Sequence, residues 1–162
     1  MNKRVLILGG TGAMGYPLAE ILSRKGFHIF VTSRKPRYSS VPNLTYIQGN
    51  AKDTSFIRNL FALSSWDSVI DFMSYSTQEF SSRYKLLLSG TKQYIFISSA
   101  RVYLRSDVPI TEDTPRLLDV CQDSEYLKTD EYALAKARCE DLLKSSGFSN
   151  WTIIRPSITY NT

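Results

Sequence analysis

Seven residues near the amino terminus, Gly9-Gly10-Thr11-Gly12-Ala13-Met14-Gly15, constrain this chain more than any other part of it. They follow the apolar run Val5-Leu6-Ile7-Leu8 directly. They precede a segment, 17–25, in which Leu18, Ala19, Ile21 and Leu22 recur at helical spacing. Gly26 then stands where a left-handed residue closes a helix. Strand, glycine turn and helix in that order create a site where helix N–H groups meet an anion. Gly9 frees the backbone at the tight turn, Gly12 lets a pyrophosphate approach the amides, and Gly15 lets helix and strand pack closely. A glycine-rich turn alone is weak evidence; in this context it predicts a dinucleotide phosphate loop, with Gly9, Thr11, Gly12, Ala13, Met14 and Gly15 as contacts.

The rest of the chain repeats the alternation. Segments 29–31, 44–47, 69–72, 94–97 and 151–154 are apolar and of strand length. Asp53 is placed to cap a helix whose buried face carries Phe56, Ile57, Leu60 and Phe61. A short helix is expected over 78–88, and a longer one over 130–145, closed by Gly147. Six buried strands separated by helices predict an α/β fold: a doubly wound parallel (Rossmann) sheet with helices on both faces, as one domain over 1–162. The polar stretch 105–129 is too long for a plain connector and reads as functional or mobile.

Composition narrows the setting. Cys121 and Cys139 have neither the number nor the spacing of a disulfide framework or a zinc site, so reduced thiols and no metal are expected. Lys3 and Arg4 precede an apolar run too short for a signal peptide. No stretch approaches the roughly 20 apolar residues of a membrane span. A cytoplasmic protein with no membrane partner is expected. The formal charge of +5 suits an anionic ligand. Its lysines and arginines are spread along the chain, which argues against a nucleic-acid partner.

Sites that prefer NAD place an Asp or Glu about 20 residues past the glycine loop, on the ribose 2′-hydroxyl. Here that place holds Thr32-Ser33-Arg34-Lys35. A hydroxyl and two cations suit a 2′-phosphate, so Ser33, Arg34 and Lys35 favour NADP(H), with NAD(H) as the other option. The competing reading is a solvated basic loop.

Tyr132 and Lys136 share one face of the predicted 130–145 helix. In a chain with ten tyrosines such a pair arises readily by chance. Its position matters more. It follows the fifth strand, whose carboxyl end carries Ser98-Ser99-Ala100-Arg101-Val102-Tyr103, and ligands of such sheets bind beyond the carboxyl ends of the strands. A hydroxyl, a phenol and an ammonium can therefore converge near a bound nicotinamide.

With the glycine loop, 97–103, Tyr132-x-x-x-Lys136 and Arg155-Pro156-Ser157 in this order, the chain resembles the extended short-chain dehydrogenase/reductase family, of the NAD(P)-dependent epimerase/dehydratase type. The resemblance covers essentially the whole chain, and 109–115 is similar to the loop before the tyrosine helix in nucleotide-sugar members. It implies catalytic roles for Ser99, Tyr132 and Lys136: Tyr132 as acid/base, Lys136 on the nicotinamide ribose, Ser99 on the reacting oxygen. A free phenol ionises near ~10 and is a poor base at neutral pH, and a nearby ammonium favours its phenolate.

The resemblance further implies cofactor contacts from Asn50 and Ala51, from Phe72, Met73 and Ser74, and from Pro156 with Ser157. Asn50 departs from the family's usual aspartate, although its amide oxygen still accepts. Such proteins continue into a carboxy-terminal substrate domain, so this chain is expected to be the cofactor domain, with most substrate contacts lying elsewhere. The implied function is an NAD(P)-dependent epimerase, dehydratase or reductase acting on a small molecule, a nucleotide sugar in particular, and a homodimer is compatible with it. The alternative is a non-enzymatic relative that senses NAD(P) or binds RNA or protein. A flavin or adenosylmethionine domain would leave the tyrosine–lysine pair unexplained.

Overall fold

The computed structural model describes residues 3–157. Six parallel strands form one sheet: β1 (Arg4–Leu8), β2 (His28–Ser33), β3 (Leu44–Gln48), β4 (Ser68–Asp71), β5 (Tyr94–Ile97) and β6 (Trp151–Ile154). Their order is β3-β2-β1-β4-β5-β6. The chain winds outward from β1 through β2 to β3, then crosses back to β4 and continues to β6. The direction reverses between β1 and β4, and the carboxyl ends of the strands open a crevice at that reversal.

Alternation along β1 shows how two faces are filled. Leu6 and Leu8 point into a cluster with Ile57, Leu60, Phe80, Phe96 and Leu143. Val5 and Ile7 point the other way, into a cluster with Ala19, Ile29, Val31 and Ile70. The second face carries helix α1 (Gly15–Arg24), which supplies Ala19 with Leu18 and Leu22. The first face carries α2 (Thr54–Leu63), the pair α3 (Thr77–Ser81) and α4 (Tyr84–Ser89), and α7 (Tyr132–Lys144). The expected doubly wound sheet is therefore present, and each strand lies within two residues of its expected span.

The helices differ more, each for a local reason. The helix expected over 78–88 is two pieces. Ser76 and Glu79 form a capping box on α3, and Arg83 leaves the helical path to donate to the carbonyls of Glu79, Ala51 and Lys52. The helix expected from residue 130 begins at Tyr132. Glu131 caps it by accepting from the Ala133 N–H, while Asp130 accepts from the N–H and hydroxyl of Thr77 instead. Within the polar stretch lie two single-turn helices, α5 (Leu117–Val120) and α6 (Ser124–Lys128).

Candidate cofactor and catalytic site

The glycine loop is tight at its ends and open in its middle. Gly9 has φ +69°, a left-handed conformation suited to glycine. Its N–H donates to the Thr32 hydroxyl at 3.2 Å, which pins the loop to β2. A Cβ on Gly10 would lie 2.5 Å from the Ile7 side chain, and one on Gly15 would lie 2.5 Å from Gly10 Cα. Both positions must be bare for α1 to start this close to the sheet. A Cβ on Gly12 would meet nothing within 4 Å, so the loop is clear where the first amides of α1 face outward.

A cavity of about 440 Å³ opens beside this loop at the switch in strand order. Gly9 and Thr11 form one wall; Thr32, Ser33 and Arg34, at the end of β2, form the next. Gly49, Asn50, Ala51 and Lys52 follow β3, and Met73 and Ser74 follow β4. Of the cofactor contacts expected from sequence, Gly9, Thr11, Ser33, Arg34, Asn50, Ala51, Met73 and Ser74 thus share one cavity. Gly12, Ala13, Met14 and Gly15 lie along the loop and the start of α1, outside the lining.

Lys35 and Phe72 lie elsewhere. The Ser33 hydroxyl donates to the Lys35 carbonyl at 2.8 Å, and the Lys35 side chain stands in solvent. Phe72 packs against the core under β4. The second cation on the cavity wall is Lys52, whose Nζ binds both carboxylate oxygens of Glu79 at 3.0 and 2.9 Å. Asn50 Oδ1 already accepts from the Lys52 N–H at 3.0 Å, which leaves it one lone pair and its NH₂ group.

Of the predicted catalytic trio, Lys136 and Tyr132 stand together near the carboxyl ends of β4 and β5, and Ser99 follows β5. Lys136 is 2% exposed, and its Nζ donates to the carbonyls of Ile97 (2.8 Å) and Met73 (3.1 Å). Met73 also lines the cavity, so the ammonium is bound to a residue of its wall. The Phe96 ring lies 4.5 Å from the same nitrogen. Tyr132, one turn earlier, is half-exposed with its ring 6.0 Å from Lys136 Nζ. The Arg101 guanidinium stands 5.4 Å from that ring and pairs with Glu131 at 3.0 Å. Ser99 caps the short 3-10 turn Ala100–Val102 by accepting from the Arg101 N–H at 3.2 Å. Pro156 binds the same turn, its carbonyl accepting from the Ala100 N–H at 2.9 Å.

Beneath this trio is a charged cluster that sequence reading did not find. Glu140, one turn beyond Lys136 on α7, has no exposed surface. It accepts from Ser98 Oγ (2.6 Å), from two nitrogens of Arg155 (2.9 and 2.7 Å) and from Arg116 (3.3 Å). Arg155 also donates to the Tyr103 hydroxyl. Burial alone would raise the Glu140 pKa, but the bonds from Arg155 and Ser98 outweigh it and hold the carboxyl below its ordinary range. One carboxylate thereby ties α7 to the ends of β5 and β6. Its Lys136-plus-four spacing and the Arg155-Pro156 pair were the available signals. Lys52 and Asp71, also missed, carry no local signal.

The sheet order, the glycine loop and the cavity at the switch point together define a dinucleotide-binding domain of the Rossmann type. The chain belongs to the NAD(P)H-binding family, whose model matches residues 9–162. It is 28% identical over 173 residues to chloroplast stem-loop binding protein of 41 kDa b from Arabidopsis thaliana, covering 98% of this chain and 43% of that protein. It is 27% identical over 141 residues to the UDP-glucose 4-epimerase of Neisseria meningitidis serogroup B, covering 70% and 42%. Among solved structures, Bordetella bronchiseptica WbmH in complex with NAD+ superposes with a TM-score of 0.74 at 20% identity, covering 96% of this chain and 56% of that one. The UDP-glucose 4-epimerase of Bifidobacterium longum, with NAD+ and UDP, superposes with a TM-score of 0.71 at 23% identity, covering 93% and 51%. The chain spans about half the length of these proteins. Among the described residues no helix is long and apolar enough to cross a membrane.

Proposed function

We propose that this chain is the cofactor domain of an NADP(H)-dependent enzyme of the epimerase/dehydratase/reductase type, acting on a nucleotide sugar. The observation that supports the reading is Lys136 Nζ bound to the carbonyl of Met73, a residue of the cavity wall, with the Tyr132 ring 6.0 Å from the same nitrogen. The amides at the start of α1 would take the pyrophosphate. Arg34 and Lys52 would face the adenosine end, and they suit a 2′-phosphate better than a bare hydroxyl pair. Lys136 would donate to the ribose hydroxyls next to the nicotinamide. The nicotinamide, when bound, accepts or supplies the hydride.

The chain's own part in the chemistry is positional and electrostatic. Tyr132 would take or give the proton on the reacting oxygen, and Ser99 Oγ would hold that oxygen by a hydrogen bond. Substrate contacts beyond these, and a carboxy-terminal substrate domain, belong to the same proposal. The test is Tyr132→Phe in the full protein. Hydride transfer should fall at least a hundredfold while the NADPH dissociation constant stays within about twofold. Turnover close to wild type would remove Tyr132 from the mechanism.

One observation favours a second reading, nucleic-acid binding. No acidic residue occurs between positions 21 and 52, while Arg24, Lys25, Arg34, Lys35, Arg37 and Lys52 do. In the β2–β3 loop Arg34, Lys35 and Arg37 are exposed beside Tyr38, which is 96% exposed. Cations next to a free aromatic ring suit a phosphate backbone with a stacked base. The relative named as a stem-loop binding protein gives this reading weight. A stem-loop RNA titration at two salt concentrations separates the readings: salt-dependent binding lost in Arg37→Ala supports it, and none at low salt removes it.

A further inference from the structure

Asp71 ends β4 below the cavity with no exposed surface, and none of the roles above uses it. Its Oδ1 accepts from the Met73 N–H at 2.9 Å. Its Oδ2 accepts from the hydroxyls of Tyr94 at 2.7 Å and Tyr75 at 2.9 Å. Three donors converge on this carboxyl and no contact requires it to donate, a pattern that an ionised carboxylate satisfies. A charge this deep needs an opposite charge close by.

Lys136 answers that need from the other side of one residue. Asp71 takes the N–H of Met73, while Lys136 donates to the carbonyl of Met73. Burial drives the lysine's pKa down, and among the groups that oppose this Asp71 acts most strongly, ahead of Cys139 and Glu140. Burial likewise drives the Asp71 pKa up, opposed by the Tyr94, Met73 and Tyr75 hydrogen bonds and by Lys136.

The other titratable groups around the pair do not replace Asp71. Burial pushes the Cys139 thiol up to about 12, and burial holds Tyr75 and Tyr94 well above the ordinary phenol range. Glu140 is taken by Arg155 and Arg116. Tyr132 is a phenol one turn earlier. Arg83 and Lys52 lie over the Tyr75 ring, at 5.0 and 6.0 Å from its centroid.

We propose that Asp71 is a positioning residue for Lys136: it fixes Met73 and supplies the negative charge that keeps the ε-ammonium charged in a dry strand end. The consequence follows from counting donors. An ammonium has three N–H groups, and two are spent on Met73 and Ile97. Only the charged form keeps a third for a ligand; the neutral amine has none left. That ligand is the nicotinamide ribose, a step which rests on the function proposed above, whereas the Asp71–Lys136 coupling does not.

The experiment is a pH titration of the full chain carrying 13Cε-lysine, followed by NMR, with the Lys136 signal assigned by its loss in Lys136→Arg. In Asp71→Asn the ammonium transition of Lys136 should fall by about one pH unit or more. A transition that stays in place overturns the proposal, because a merely structural aspartate would not move it. If Asp71→Asn does not fold, wild type decides alone. The Lys136 signal should show a second displacement on the acid side as Asp71 takes up its proton, and a flat signal there overturns the coupling. Adding NADPH then tests the reading beneath: a Lys136 signal indifferent to saturating NADPH rejects the cofactor role while leaving the coupling intact.

Discussion

On the β2–β3 side of the sheet, the cavity wall is main chain plus long side chains that stand partly in solvent: Arg34 is exposed and Lys52 reaches a half-exposed Glu79. On the β4–β6 side, two carboxylates have no exposure, Asp71 and Glu140, each satisfied by three or more donors. The first region is built to be adjustable. Cations there contribute little to folding, since surface ion pairs give about 0–1 kcal/mol, and turning Lys52 from Glu79 toward another anion costs correspondingly little. The second region is built to be fixed. Its ion pairs are dry, so breaking one is costly, and the strand ends that carry Ser99 and Pro156 are held in register with α7. Substitutions on the first side should leave the fold intact, and substitutions on the second side should not.

Glu140→Gln should break that contrast most visibly. It leaves two guanidinium groups around an uncharged amide, and loss of one partner of a buried pair costs about 3–5 kcal/mol. A urea unfolding curve should show this loss at neutral pH. Because the folded-state pKa of Glu140 is depressed, its contribution is present above the ordinary carboxylate range and lost as pH falls through the depressed value. The gap between wild type and Glu140→Gln should therefore narrow in acid. A gap that is constant with pH would show that shape rather than charge matters there.

Two glycine variants sharpen the comparison at intermediate scale. Gly15→Ala must displace the Gly10 backbone and should cost about 1–3 kcal/mol as well as cofactor binding. Gly12→Ala meets no neighbour, so its stability should stay within about 0.5 kcal/mol of wild type while NADPH affinity falls. Equal stability loss in both would mean that Gly12 serves packing and not a ligand. Arg34→Ala should have the smallest effect on the protein itself. Unfolding should be unchanged, and NADPH should bind about tenfold more weakly with NADH unaffected, the loss of one charge-assisted hydrogen bond. An equal loss for both cofactors would place Arg34 away from the 2′-phosphate.

The same division explains what was legible in the sequence. The strands, the glycine loop and the Tyr132–Lys136 pair are local patterns, and each is where its spacing placed it. Lys35 was the natural partner for Arg34 by adjacency, but the Ser33–Lys35 hydrogen bond turns the chain there, and Lys52 arrives from β3 through pairing that no local pattern reveals. Asp71 lies inside the strand-length run 69–72, and its two tyrosine donors, one of them on β5, meet it only in space. The Glu140 cluster joins residues from 98 to 155, and its hints in the sequence were the helical turn past Lys136 and the Arg155-Pro156 pair. Long-range polar contacts were the part that the sequence alone did not expose.

Isothermal titration of the chain with NADPH and, separately, with NADH decides whether the cavity holds NADP(H). Binding of both is expected, with NADPH at least tenfold tighter. NADH binding as tight as or tighter than NADPH would contradict the 2′-phosphate role of Arg34 and Lys52, and binding of neither would contradict the cofactor site itself.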